Sequence, residues 1–279
     1  MDYRTILVDI DPPGRTAERI AFAARLAVAQ QAHLVGVAQT GIDRFIRQSA
    51  VPGVDLGGLT PLFEQLQQEA ELRATLFDEQ VRRAGVVSFE HRVGSEDPGN
   101  ALATQAMYAD LVLLSQRDPA NADHGSEAAV PEYVAMNAPC PVMVLPWSGT
   151  LEPSFERVMV AWNASPEAAR AVRQSLPFLR QASEVQVAIV HGEGGGRIPD
   201  PEAGRGITEF LARHGVRVQL RQQPSAGDAG ETLLSLAADS GAGLLVLGCY
   251  GHSRFRELLL GGVSRTILNR LTLPVLMAH

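Results

Sequence analysis

Gly243-Leu244-Leu245-Val246-Leu247-Gly248-Cys249-Tyr250-Gly251 is the stretch on which the reading of this 279-residue chain turns. Four apolar residues in a row, without the alternation of a half-exposed strand, suit a strand covered on both faces, as in a parallel sheet. A glycine turn follows at once. Nine residues separate Gly251 from Gly261-Gly262-Val263-Ser264, where a helix is expected to open. A buried strand that empties into a glycine turn, facing a helix N-terminus, gathers bare backbone N–H groups and about half a unit of positive partial charge. That combination suits phosphate oxygens. Glycine is expected at 248, 251 and 261 because a side chain there holds a phosphate off the main chain or forbids a positive φ.

The same residues carry a family resemblance. Gly248-x2-Gly251-x9-Gly261-Gly262-x-Ser264, with Arg256-Glu257-Leu258-Leu259-Leu260 leading into its second half, resembles the ATP-binding signature of the universal stress protein family over seventeen positions. The chain departs from the family pattern at Gly262, where a serine usually supplies a hydroxyl; Ser264 matches the second hydroxyl. For the nucleoside end the resemblance implies the turn after the first strand of this half, Ala161, Trp162 and Asn163, and the end of its second strand, Val190, whose backbone would meet the adenine edge. Asn163 stands where the family commonly has an aspartate facing the ribose, so one acceptor is kept and the charge is lost. Trp162 has two readings, stacking on the base or packing in the core. Within the gap, Arg254 is a candidate for phosphate oxygens and Ser253 for a hydroxyl ligand, each with a solvated loop residue as the alternative; His252 reads as a turn residue before a proton-transfer catalyst. The resemblance implies a cytoplasmic stress-response protein whose state depends on bound ATP, with or without Mg²⁺, and an adenine nucleotide alpha hydrolase-like, Rossmann-like fold.

Composition narrows the classes. All 24 basic residues are arginine, so no lysine exists for a Walker loop, a kinase site or a Schiff base. A net charge of −7 argues against general nucleic-acid binding. Residues 1–150 carry 19 acids against 11 arginines and residues 151–279 carry 12 against 13, so an anion should prefer the second half. No apolar run reaches the roughly eighteen residues of a membrane span, and the start lacks a secretory signal. The two cysteines, Cys140 and Cys249, form no CxxC pair. Cys249 reads as a small residue in a tight turn, with a redox-sensitive thiol as the other reading.

Internal similarity extends the reading to the whole chain. Thr5-Ile6-Leu7-Val8 matches Arg157-Val158-Met159-Val160 at a shift of 152, and residues 110–145 match 243–278 at a shift of 133 without a gap. A tandem duplication is expected, with units at 1–148 and 154–279, a hinge over 147–153, and an α/β fold of two doubly wound five-stranded parallel sheets. In the second unit the strands are expected at 158–161, 185–190, 216–220, 244–247 and 275–277, and helices near 165–181, 202–214, 229–240 and 264–271. The first unit is longer by 22 residues, mostly within 41–61, a surface insertion or a lid over the partner half. Because members of the resembled family often pair through their last strands, the resemblance implies that the halves dock as an intramolecular pseudo-dimer through 142–145 and 275–277, and a homodimer beyond that stays open.

The gapless match also tests the site. At the positions of Gly248, Gly251, Gly261, Gly262 and Ser264 the first half has Ser115, Asp118, Ala128, Ala129 and Pro131. An aspartate repels phosphate and a proline removes a donor, so the first copy is expected to be silent. Asp9 and Asp11 read as turn and cap residues, with a metal or ribose role as the alternative, and Gly227-Asp228-Ala229-Gly230 reads as a helix cap. Efficient nucleotide hydrolysis has few candidate groups here, so binding and sensing is favoured over turnover; a scaffold without nucleotide and a slow ATPase are the alternatives.

Overall fold

A computed structural model describes residues 2–11, 15–49, 57–116, 130–149, 151–152, 154–192, 201–225, 227–249 and 262–279. In chain order the first half runs β1 Thr5–Asp9, α1 Thr16–Gln30, β2 His33–Gln39, α2 Ile42–Ser49, α3 Thr60–Arg83, β3 Phe89–Gly94, α4 Pro98–Gln105, β4 Leu111–Ser115, α5 Val130–Asn137 and β5 Val142–Leu145. The second runs β6 Arg157–Ala161, α6 Pro166–Leu179, β7 Glu184–Gly192, α7 Pro201–Arg213, β8 Val218–Ser225, α8 Ala229–Ser240, β9 Leu244–Gly248, α9 Val263–Arg270 and β10 Val275–Ala278. β4, α5 and β5 coincide with β9, α9 and β10 at the same shift of 133 that the sequence carries, and β1 coincides with β6 at 152.

The apolar runs become central parallel strands because helices cover both faces. One face packs side chains of α1, α3, α6 and α7 against Ile6, Val8, Val158, Val160 and Val246; the other packs those of α4, α5, α8 and α9 against Leu7, Val112, Met159, Leu245 and Leu247. Each half has the strand order 3-2-1-4-5, and all ten strands form one sheet, β3-β2-β1-β4-β5-β10-β9-β6-β7-β8. The order reverses direction between β1 and β4 and between β6 and β9. A doubly wound sheet opens its crevice at those reversals, beyond the carboxyl ends of the strands.

The halves join where the sequence places their docking edges. β5 and β10 pair antiparallel, Val144 with Val275, Met143 with Leu276 and Val142 with Met277, all fully buried. Burying one such side chain contributes about 2 kcal/mol. Tyr3 Oη donates to Gln174 O at 2.6 Å across the join, and its ring lies 5.0 Å from Phe178, which in turn packs 4.5 Å from Phe155. Burial pushes the Tyr3 phenol up, so it stays a donor.

Three expectations meet the structure here. Within the connection over 147–153, Gly149 O accepts from Arg15 at 2.6 Å and Leu151 O accepts from Arg25 of α1, so those two residues are tied to the first half. The insertion is built as α2 and the exposed start of α3, and it docks on its own half: Asp43 N donates to Ser95 O at 2.9 Å, Ser95 Oγ to Asp43 Oδ2 at 2.8 Å, and Arg44 pairs with Asp97 at 2.6 Å. The described residues of the insertion therefore form no lid over the partner half. The third strand of the second half also lies later than expected, at Val218–Ser225, because the chain first turns through Gly215 at φ 78.

Candidate functional site

The crevice of the second half lies where β6 and β9 end, between the N-terminus of α6 on one face and that of α9 on the other. The turn leaving β6 is tight. Ala164 adopts φ 58, a left-handed conformation that costs a non-glycine residue about 1–2 kcal/mol. It is held by the Asn163 side chain, whose Oδ1 accepts from Ser165 N at 3.1 Å, and by Ser165 Oγ, which accepts from Ala168 N at 3.1 Å as the cap of α6. Asn163 thus directs its acceptor into the turn and leaves its NH₂ on an exposed side chain. Trp162 N donates to Ala188 O at 2.9 Å and its side chain packs against the core, the packing reading of the two; its Nε1 is buried without a partner among the described residues.

Val190 sits in β7 two residues beyond Ala188, which pairs with Ala161 at the end of β6. Backbone groups alternate in direction along a strand, and Ala188 O faces β6, so the Val190 N–H faces the crevice as well. No side chain among the described residues meets it. The equivalent residue in the first half, Gln39, has its N–H bonded to Asp11 Oδ2 at 2.7 Å.

Gly248 has a different role from the one expected. A Cβ built there would stand 2.2 Å from Ala168 N and 2.4 Å from Glu167 C. The missing side chain lets the first turn of α6 rest on the end of β9, so the helix, and not a phosphate, occupies that space. Cys249 follows, fully buried, with Sγ 3.6 Å from Ala135 O of the first half and N donating to Ala278 O at 2.9 Å. It is a packing residue at the join.

α9 opens at Gly262, whose φ of −57 makes no demand for glycine. Arg265 N and Thr266 N both reach Gly262 O, at 2.9 and 3.1 Å, while the amides of Val263 and Ser264 precede the helical ladder and have no partner among the described residues. The Ser264 side chain is buried, 3% exposed, and its hydroxyl has no hydrogen-bond partner among the described residues. The helix is fixed by α8: Thr266 Oγ1 donates to Asp228 Oδ2 at 2.9 Å and Arg270 pairs with Glu231. Asp228 also caps α8, accepting from Gly230 N and Glu231 N at 2.7 and 3.0 Å, as the sequence indicated. The structure therefore brings Ala161, Trp162, Asn163, Val190, Gly248, Gly262, Val263 and Ser264 to one edge of the sheet. Gly251, His252, Ser253, Arg254 and Gly261 lie outside the described residues.

Sequence reasoning missed the equivalent crevice of the first half. Asp9 and Asp11 do make the expected turn, Asp9 Oδ1 accepting from Asp11 N at 3.0 Å, but they also face two arginines. Arg19 of α1 is 1% exposed and its Nη2 lies 3.5 Å from Asp9 Oδ2, while Arg73 of α3 lies 3.1 Å from Asp11 Oδ1. Burial, opposed by Arg19, raises the Asp9 carboxyl; burial together with the Asp9 charge raises Asp11 to about 7. A signal was present: an arginine at a core position of an apolar helix, Arg19-Ile20-Ala21-Phe22, eight residues after a strand ending in two aspartates. Among the described residues no group of three or more His, Cys, Asp or Glu side chains stands ready for a metal.

The universal stress protein family model matches residues 2–146 and 201–279. The chain belongs to that family. Among curated proteins it is similar to the universal stress protein Slr1230 of Synechocystis sp., 26% identical over 172 residues, a match spanning 60% of this chain and 57% of that one. Among solved structures it is similar to a universal stress protein from Archaeoglobus fulgidus DSM 4304, with a TM-score of 0.75 at 16% identity, covering 98% of this chain and 95% of the other. A functionally unknown protein from Pseudomonas aeruginosa PAO1 has a TM-score of 0.58 at 18% identity, covering 99% and 92%. These two likenesses support the fold, an α/β architecture with a large and mostly parallel sheet. No helix among the described residues is long and apolar enough to cross a membrane.

Proposed function

We propose that this universal stress protein consists of two tandem units, 1–148 and 154–279, and binds an adenine nucleotide, ATP, in the crevice of the second, acting as a cytoplasmic stress-response binding and sensing protein. The observation that carries the reading is the convergence of unpaired backbone donors at one reversal of the sheet. The amide of Val190 faces the crevice from one side, and the opening amides of α9 face it from the other. A purine edge offers acceptors to the first and a phosphate chain offers them to the second. The residues fit such a ligand with its phosphates at α9 and the glycine turn; they do not fit one that reaches Gly248, which α6 covers. Mg²⁺ would arrive with the phosphates, and slow hydrolysis would fall to Arg254 and the backbone. The strands β5 and β10 are used inside the chain, so a homodimer would need another surface.

Thermal shift with ATP, ADP, AMP and NAD, with and without Mg²⁺, tests the reading, because a ligand held only by the folded state raises Tm by mass action. Gly251→Val and Gly261→Val are expected to remove the ATP shift while Ala128→Val in the first unit leaves it intact. Equal losses in all three would mean that the wrong unit has been assigned. A scaffold without nucleotide is the second reading. The buried Ser264 side chain and the Asn163 acceptor, already taken by Ser165 N, favour it. No shift at millimolar ATP, with no nucleotide released on denaturation, would decide for it. Phosphate release abolished by Arg254→Ala would point to an ATPase.

A further inference from the structure

The crevice of the first half is filled by one side chain. Arg19 reaches from α1 over the ends of β1 and β4, and each nitrogen of its fork has an oxygen. Nε donates to Asp9 O at 2.5 Å, Nη2 to Asp11 O at 2.6 Å and Nη1 to Ser115 Oγ at 2.8 Å. Thr16 Oγ1 stands 3.5 Å from Nη2, and so does Asp9 Oδ2. Beside this fork the Asp11 carboxylate closes the one backbone donor on that side, Gln39 N, and Arg73 covers it from α3. Among the described residues, the groups set around the Arg19 fork are acceptors, and the further cation there, Arg73, is held on Asp11.

We propose that the crevice of the first half is a binding site for a planar cation, which the chain fills with its own Arg19 guanidinium. Two backbone carbonyls, two hydroxyls and a carboxylate, shared among the three nitrogens of one side chain, match the divergent donors of a guanidinium and not a compact ammonium. The buried Asp9 and Asp11 carboxyls supply the reason for a cation. Burial disfavours their charge, and Asp11 suffers from its neighbour as well. The always-charged Arg19 favours the ionised form of Asp9 against the burial that raises its carboxyl. Two reversals of one sheet thus carry opposite preferences, donors at β6 and β9 and acceptors at β1 and β4.

Chemical rescue tests the proposal in the full chain. Arg19→Ala is expected to lower Tm by many degrees. Low-millimolar methylguanidinium should restore most of that loss, while methylammonium and sodium at equal ionic strength do not, and the parent protein should not respond. Absence of selective recovery overturns the proposal. Should Arg19→Ala not fold alone, refolding yield with each cation gives the same comparison: recovery with methylguanidinium alone supports the site, and equal yields overturn it. A second test counts adenine nucleotides on Arg19→Ala. A nucleotide on that variant beyond those bound by the parent would overturn the proposal, because Arg19 would then be a plug in an anion site. The cation test reads the first crevice whether or not the second binds nucleotide.

Discussion

The two reversals of the sheet differ at several equivalent residues, one of which meets the first turn of a helix. Ser115 ends β4 and Gly248 ends β9. In the first half the guanidinium of Arg19, from α1, reaches the Ser115 hydroxyl at 2.8 Å. At Gly248 the first turn of α6 settles directly on the strand, with Ala168 N where a Cβ would be. The same fold therefore closes one opening by electrostatics and the other by backbone packing. Among the described residues of the second, the amides of Val190 and of the start of α9 have no bonded partner. Asp11 has removed the matching donor from the first by bonding to Gln39 N. Two halves with the same strand order can thus present different chemistry at equivalent places.

This contrast is broken most directly at its pivot. Gly248→Val should destabilise the protein by about 3 kcal/mol or more, since the neighbours are backbone and cannot swing aside. Ser115→Ala should cost only about 1 kcal/mol, the loss of one hydrogen bond. Urea unfolding of both variants checks the ratio, and equal losses would show that α6 does not rest on the strand as described.

The buried carboxylates give the next largest effect, and its sign is set by the direction of the shift. Asp11 has a carboxyl raised from 3.8 to about 7 in the folded state, so the folded state binds the extra proton between those values. Stability from this group is therefore present below about pH 3.8 and lost as pH rises through 7. Asp11→Asn, which mimics the protonated form, should raise stability by about 1–2 kcal/mol above pH 8, after allowance for the lost Arg73 pair, and much less at pH 4.5. Tm measured across that range decides it; a variant less stable at pH 8 than at pH 4.5, relative to the parent, would reverse the assignment. No such pH dependence is expected from the second half at Asn163.

Smaller effects sharpen the likeness between the halves. Asp97 caps α4 by accepting from Asn100 N at 3.1 Å and Asp228 caps α8 by accepting from Gly230 N at 2.7 Å, so Asp97→Ala and Asp228→Ala should each cost about 1 kcal/mol in urea unfolding. The smallest change is expected for Thr266→Ala, about 0.5 kcal/mol, because its bond to Asp228 is exposed. If that loss also lowers ATP affinity, the link between α8 and α9 positions the opening amides of α9.

The architecture was legible because it rests on local signals that agree with one another. Leu244 to Leu247 is uniformly apolar because both of its faces are covered, and Asp228 and Ser165 announce helix starts by a side-chain oxygen set before a helical run. The docking of β5 on β10 was implied by the family resemblance, and the folded sheet alone supplies the register of Met143 with Leu276. Parts of the site were less legible. Gly248 reads from sequence as a place for phosphate, and a glycine admits helix backbone equally well. Trp162 was open to stacking or packing, and only the folded chain shows that it packs against the core.

From its sequence alone the chain determined a repeated α/β unit, the position of its glycine turn, and the asymmetry of charge between its halves, since period, turn chemistry and composition are properties of neighbouring residues. Tertiary structure alone decided that Arg19 meets Asp9, Asp11 and Ser115, that Arg73 comes from 62 residues away to meet Asp11, and that α6 covers Gly248. Those contacts join residues on separate strands and helices, and a buried charge is tolerated or not according to what the folded chain brings against it, which no local pattern records.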